Sequence, residues 1–152
     1  MPTRTALTAR RSALAVVAAL LVALVAGCLP PEEQTFLDRT NALRAANGIA
    51  PLKEHGTLTK KAEDWARHMA ATGTLAHSNL TSGLGGLNWK SLGENVGMSS
   101  PTRDTLLTIH NKFVSSSGHR ANLLNSGFTH MGVGVHEDAS GRVWVAEVFA
   151  RL

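Results

Sequence analysis

Ala13 to Ala26 is an unbroken apolar run of fourteen residues, preceded by a basic segment that carries Arg4, Arg10 and Arg11 and no acid. Fourteen residues fall short of the roughly 20 that a membrane-spanning helix requires. They match the apolar centre of an export signal, with its charged start and small-residue end. Removal of such a signal, residues 1–27, bounds what the rest can fold into. It leaves 125 residues, enough for one hydrophobic core and too few for two domains. Three arginines leave with it, so the 15 basic and 11 acidic side chains become 12 and 11, a net charge of +1. No basic field remains to argue for nucleic acid as a partner.

The run closes on Val25-Ala26-Gly27-Cys28, which resembles the lipobox of bacterial lipoproteins. The resemblance implies cleavage before Cys28, acylation of that cysteine and anchoring of the folded part to the membrane outside the cytoplasm. More than one acyl chain suffices for stable anchoring, at about 0.8 kcal/mol per buried methylene. An ordinary secretory signal followed by a chance cysteine is the alternative. Arg10-Arg11 loosely suggests twin-arginine export, and the general secretory route stays open beside it. Cys28 is the one cysteine of the chain. Once acylated, it leaves no thiol for a disulfide, a zinc thiolate or a cysteine nucleophile. Residues 28–33, through Pro30-Pro31-Glu32-Glu33, read as a tether, and residues 34–152 as a domain expected to be a monomer.

Gln34 to Asn47 is predicted as a helix, because Phe36, Leu37, Thr40, Leu43 and Ala46 recur at three- and four-residue steps and Gly48 stands just past the end. Ile49-Ala50-Pro51-Leu52 reads as extended, since a proline disfavours helix at the residue before it. Thr57 to Thr72 is a second helix, with Leu58, Ala62, Trp65, Ala66 and Met69 on one face and Gly73 at its close. Residues 73–90 read as loop. A short strand is expected at Glu94–Met98, a third helix at Thr102–Ser115 and a helical turn at His119–Leu124. Met131–His136 and Arg142–Phe149 are rich in valine and flank the turn Glu137–Gly141, which makes them an antiparallel hairpin. Helices followed by a terminal hairpin argue for a layered α+β domain.

Three residues stand out as chemistry. His77 follows the second helix, Glu94 lies in Gly93-Glu94-Asn95, and His119 opens His119-Arg120-Ala121-Asn122-Leu123-Leu124. Two imidazoles and a carboxylate can bind a divalent metal, hold a water or lock three loops together by hydrogen bonds. Zinc is the metal to expect if one binds, with His77 and His119 as ligands. Glu94 would be a third ligand or would orient a histidine from behind. Ser116 and Ser117 lack the surroundings of a serine nucleophile, and capping the turn at His119 is the role expected of them. Glu147 interrupts an apolar strand face and so needs a partner, for which Arg120 is the candidate. Arg44 and Asn41 read as structural, and His55, His68, His110, His130 and His136 as residues of solvated faces or loop ends. Trp65 and Trp89 are expected to pack the core and the long loop.

Taken in order, Asn41-x-x-Arg44, Pro51-Leu52, Ala76-His77-Ser78, Gly93-Glu94-Asn95, Gly118-His119-Arg120-Ala121-Asn122-Leu123-Leu124 and Met131-Gly132-Val133-Gly134-Val135 resemble the CAP superfamily (cysteine-rich secretory proteins, antigen 5 and pathogenesis-related 1), also called the SCP domain. The resemblance covers about Phe36 to Phe149, and the His-Arg-Ala-Asn-Leu-Leu string resembles its bacterial branch. It implies an α-β-α sandwich with a small antiparallel sheet between helical layers. It also implies a central cavity lined by two histidines, here His77 and His119, and two acids, the first of which is Glu94. Ser116 stands where many members carry the second acid, and Glu147 is the other candidate for that place. The cysteines of the secreted eukaryotic members are missing.

Two functions of different class follow from this reading. The first is a surface-anchored binding module that holds a small apolar ligand, a lipid or an envelope partner, with apolar residues of the loop Thr81–Leu92 forming a groove. The second is a zinc-dependent, peptidase-like hydrolase in which His77, Glu94 and His119 are catalytic.

Overall fold

The computed structural model describes residues 29–152. The signal and Cys28 lie outside the described residues. The first helix, α1, spans Pro31–Ala46. Pro31 suits the first helical position, where a missing N–H costs nothing, and Glu32 and Glu33 meet the positive end of the helix. The helix therefore begins three residues before the predicted start, and half of the expected tether belongs to it. Glu33 is buried, and its Oε1 accepts the amide of Val135 at 3.4 Å. Gly48, at φ 69°, makes the left-handed exit from α1 that only glycine adopts freely.

The remaining elements are β1 (Lys53–Glu54), α2 (Gly56–Thr72), β2 (Ser91–Ser99), α3 (Thr105–Ser115), α4 (Ser117–Leu123), β3 (His130–Glu137) and β4 (Val143–Arg151). Asp104 caps α3 by accepting the amide of Leu107, which sets its start later than Thr102. No described helix is long and apolar enough to cross a membrane.

The strands form one sheet in the order β1-β3-β4-β2. The β3–β4 hairpin forms as predicted, and β2 lies antiparallel to β4 on its far side. The two-residue β1 pairs with β3 in parallel, the one departure from an antiparallel sheet.

Strand alternation sorts the side chains into two faces. On one face Val96, Trp144, Ala146, Val148 and Ala150 pack against Leu58, Ala62 and Met69 of α2. Gly132 and Gly134 of β3 sit directly beneath that helix. A Cβ at Gly132 would overlap the backbone of Leu58 and Thr59, and one at Gly134 the backbone of Ala62 and Glu63. On the other face Gly97 lies under Phe113 and Ile109, Gly93 lies under Phe128 and Asn122, and Phe128 stacks on Phe149 at 5.6 Å. Helix α2, the sheet, and the layer of α1, α3 and α4 are thus the three layers of an α-β-α sandwich.

Arg44 ties α1 to the chain ends around it and is fully buried. Its guanidinium donates to the carbonyls of Ala50, Leu123, Asn125 and Phe128 at 2.8–3.3 Å. Asn41 exchanges two hydrogen bonds with the backbone of Leu52. Both are structural, as their sequence context predicts. His110 departs from its expectation: it is buried, with its ring edge-on to Phe36 at 6.2 Å. Burial lowers its pKa, so it enters the core as a neutral ring.

Candidate functional site

Helix α2 fixes the segment that carries His77. Trp65 Nε1 donates to the carbonyl of Ala76 at 2.8 Å, and Lys61 Nζ donates to the carbonyl of Asn79 at 2.8 Å. Residues 61 and 65 lie one helical turn apart, so they clamp the chain on both sides of His77. Glu94 reaches the same segment from β2. Its Oε1 lies 2.8 Å from His77 Nδ1 and accepts the amide of Ser78 at 2.9 Å. With the carboxylate accepting, the ring proton sits on Nδ1 and the lone pair of Nε2 stays free for a ligand. The Glu94 side chain is 2 % exposed and the His77 ring 63 %, so the carboxylate lies in the floor and the imidazole at the opening.

Glu94 is the fourth residue of a nine-residue strand, not at a strand entrance. Because successive side chains of a pleated strand point to opposite faces, Glu94 and its neighbour Asn95 serve opposite layers. Asn95 points to the α4 side, where its Nδ2 donates to the carbonyl of His119 at 3.2 Å and to Glu147 Oε2 at 2.9 Å. Asn122 donates to Asn95 Oδ1 at 2.9 Å and to the Glu94 carbonyl at 3.1 Å. Two amides thus join the strand that bears Glu94 to the helix that bears His119. The His119 ring leans on Phe113 at 5.0 Å. Burial, and then the charge of His77, lowers its pKa, which favours the neutral ring that a metal or a hydrogen-bond donor requires.

Neither candidate for the fourth member adds a charged group to this set. Ser116 is at the start of α4, which begins at Ser117 and not at His119, and its hydroxyl makes no capping hydrogen bond. Glu147 is fully buried on the opposite face of the sheet from Glu94. It meets Asn95, and no ion pair with Arg120 forms among the described residues. Burial pushes its carboxyl up to about 8, so it is a neutral acid at pH 7. It backs the site and does not line it.

Several buried polar atoms around the site have no partner among the described residues: Ser78 Oγ, Glu94 Oε2, His119 Nδ1 and, behind them, Glu147 Oε1. Such atoms cost free energy unless something satisfies them. The charge of His77 reaches the His119 ring, which puts the two imidazoles in one neighbourhood, and Glu94 orients His77 from behind. They do not form the three-ligand set of a catalytic zinc centre. Glu94 Oε1 is taken up by His77 and Ser78, and among the described residues no three His, Cys, Asp or Glu side chains gather to hold a metal.

The leucines of the loop 81–92 turn toward the core. Leu84 is buried, and Leu80, Leu87 and Leu92 pack against the α2 core. Trp89 is left exposed, and Trp65 packs at the edge of that core. Sequence reasoning missed Lys61, Ser78 and the amide pair. Lys61 carried a legible signal: a lysine three residues after Leu58 falls on the buried stripe of α2.

A model of the Cysteine-rich secretory protein family (CAP) matches residues 37–148. The uncharacterized protein YkwD of Bacillus subtilis is 31% identical over 126 residues, 78% of this chain and 47% of that protein. An extracellular protein containing an SCP domain from Bacillus anthracis superposes with a TM-score of 0.65 at 25% identity, over 84% of this chain and 45% of that one. A cysteine-rich secretory protein from Staphylococcus aureus gives 0.66 at 26% identity, over 84% and 41%. This chain therefore spans less than half the length of these relatives.

Proposed function

Because this chain belongs to the cysteine-rich secretory protein (CAP) family, we propose that it is an extracytoplasmic binding domain whose receptor site lies between His77 and His119. The observation that carries this reading is the Glu94–His77 contact at 2.8 Å, surrounded by unpartnered buried atoms. A carboxylate that spends one oxygen on orienting an exposed imidazole presents that ring to something outside. The site is polar, and the leucines of the neighbouring loop turn inward. A polar group of an envelope partner, or a divalent ion bound in company with it, suits the site better than an apolar ligand or a lipid tail. The extracellular relatives and the export signal support a location outside the cytoplasm. Acylated Cys28 would hold the domain, as a monomer, at the membrane.

Zinc, if it binds, would be held by His77 and His119, with remaining positions left to solvent or ligand. The hydrolase reading lacks a third protein ligand, and no observation favours it over binding. Zinc titration followed by the imidazole NMR signals of His77 and His119 tests the site. Saturable shifts of both rings, lost in His119→Ala and weakened about 10- to 100-fold in Glu94→Gln, are expected. Rings that titrate independently, or not at all, would overturn the shared site.

A further inference from the structure

At the edge of the sheet opposite β2, strand β1 pairs with β3 at His130 and Met131 and goes no further. Residues 132–137 therefore have no neighbouring strand on that side among the described residues. The amides of Lys53 and His55 donate to the carbonyls of Thr129 and Met131 at 3.1 Å. Every second residue of β3 turns its backbone groups to this side, so those of Val133, Val135 and Glu137 face the open edge. An uncovered edge is a template for pairing with another strand. Here a carboxyl group meets it: Glu33, in the first turn of α1, is 3 % exposed, and its Oε1 accepts the Val135 amide at 3.4 Å. The first turn hangs on this residue. Glu32 is exposed, Gln34 and Thr35 are half-buried, and the core stripe of the helix begins at Phe36. Gln34 and Thr35 spend their side chains within the helix, on Asp38 and on the Pro31 carbonyl.

We propose that Glu33 is a proton-controlled latch, which as a neutral acid holds the first turn of α1 over the edge of β3 and on ionising lets residues 31–35 swing away. The seat is hostile to a carboxylate. Glu33 Oε2 is buried without a partner among the described residues. The charges that act on the carboxyl are those of Glu63 on α2, Glu32 on α1 and Glu54 on β1, all acids, and β3 offers the one amide of Val135. Burial, and then Glu63, raises its pKa from 4.5 to about 7 in the seat, and a released side chain returns to the ordinary value. Each unit of that difference is a factor of ten, so ionisation favours the released turn about 300-fold. The latch is fully held below about pH 4.5, loosens as pH rises, and is loosest above about pH 7. Release of one turn is a smaller response than unfolding. It gives up one long hydrogen bond and one buried carboxyl, while Phe36 and the rest of the stripe stay in place. The backbone groups of Val133 and Val135 are then open to a partner strand. The latch lies at the far edge of the sheet from Glu94 and is independent of the histidine site.

Amide hydrogen exchange of the full chain in a zwitterionic detergent, followed by NMR between pH 5 and pH 8, tests the latch. Rates are corrected for intrinsic exchange at each pH, and the Ala146 amide at the centre of the sheet serves as the reference for global unfolding. Protection of the Val135 amide and of the amides of residues 35–37 should fall together by about 30- to 100-fold across this range. Glu33→Gln, which keeps the shape of the side chain, should leave their protection independent of pH. Glu63→Gln, at a half-buried position that α1 does not need for folding, should shrink the fall. Protection that does not change with pH, or that changes equally in the parent and in Glu33→Gln, overturns the latch. A fall confined to Val135 would mean that the side chain leaves without its helix, and overturns the release of residues 31–35.

Discussion

Asn95 on β2 stands directly opposite Glu147 on β4, and its amide donates to the buried carboxyl at 2.9 Å while also holding the backbone of His119. The pair makes stability depend on pH. Burial raises the Glu147 pKa from 4.5 to about 8, and the bond from Asn95 only partly offsets that. Between those values the folded chain keeps a proton that the unfolded chain has released, so the contribution of this group to stability is fully present below about pH 4.5 and is lost as pH rises toward 8. The loss should be on the order of 2–4 kcal/mol. Glu147→Gln should flatten this part of a Tm-against-pH profile. Glu33, raised to about 7 by burial and by Glu63, adds a similar fall ending near pH 7, which Glu33→Gln should remove. An unchanged slope in Glu147→Gln would refute the neutral acid.

Gly134→Ala should destabilise the fold by about 3 kcal/mol or more, because the new methyl meets the backbone of α2 and not a movable side chain. Gly118→Ala, where a Cβ meets nothing within 4 Å, is the control and should cost less than about 1 kcal/mol. Urea unfolding of the two variants measures the difference.

Arg44→Lys should cost about 2–4 kcal/mol despite preserving the charge, since one ammonium cannot span the four carbonyls that the guanidinium joins. Thermal unfolding reads this directly. A loss below about 1 kcal/mol would mean that the carbonyls find other donors.

Cys28→Ser should release the protein from the membrane fraction, because the acyl chains that would anchor it are attached through that cysteine. Fractionation of cells that express the two forms gives the answer, and continued membrane association of the serine variant would rule out the lipid anchor.

Much of the architecture was legible because hydrophobic period and punctuation agree. Phe36, Leu58, Ala62 and Met69 mark buried helix stripes, Gly48 and Gly73 end the helices, and the valines around residues 138–141 give the hairpin. His77, Glu94 and His119 stood out through strings shared with a family. Their local contacts did not, because the bonds of Asn95 to Glu147 and of Lys61 to Asn79 are made across 52 and 18 residues. His110 was misplaced for a related reason: a histidine is polar in a list of residues, but as a neutral ring it packs beside Phe36. The start of α1 was missed because two prolines read as loop, although one of them opens a helix.

Strand β2 has a consequence for how such a site can change. Glu94 addresses the α2 layer and Asn95 the α4 layer because they are consecutive on a pleated strand. Inserting or deleting one residue upstream within β2 would exchange these addresses. A carboxylate would then be driven against Glu147, and an amide would be turned toward His77. Divergence along this strand is confined to steps of two residues, whereas the glycine-rich turn at residues 83–86 that leads into it tolerates any step.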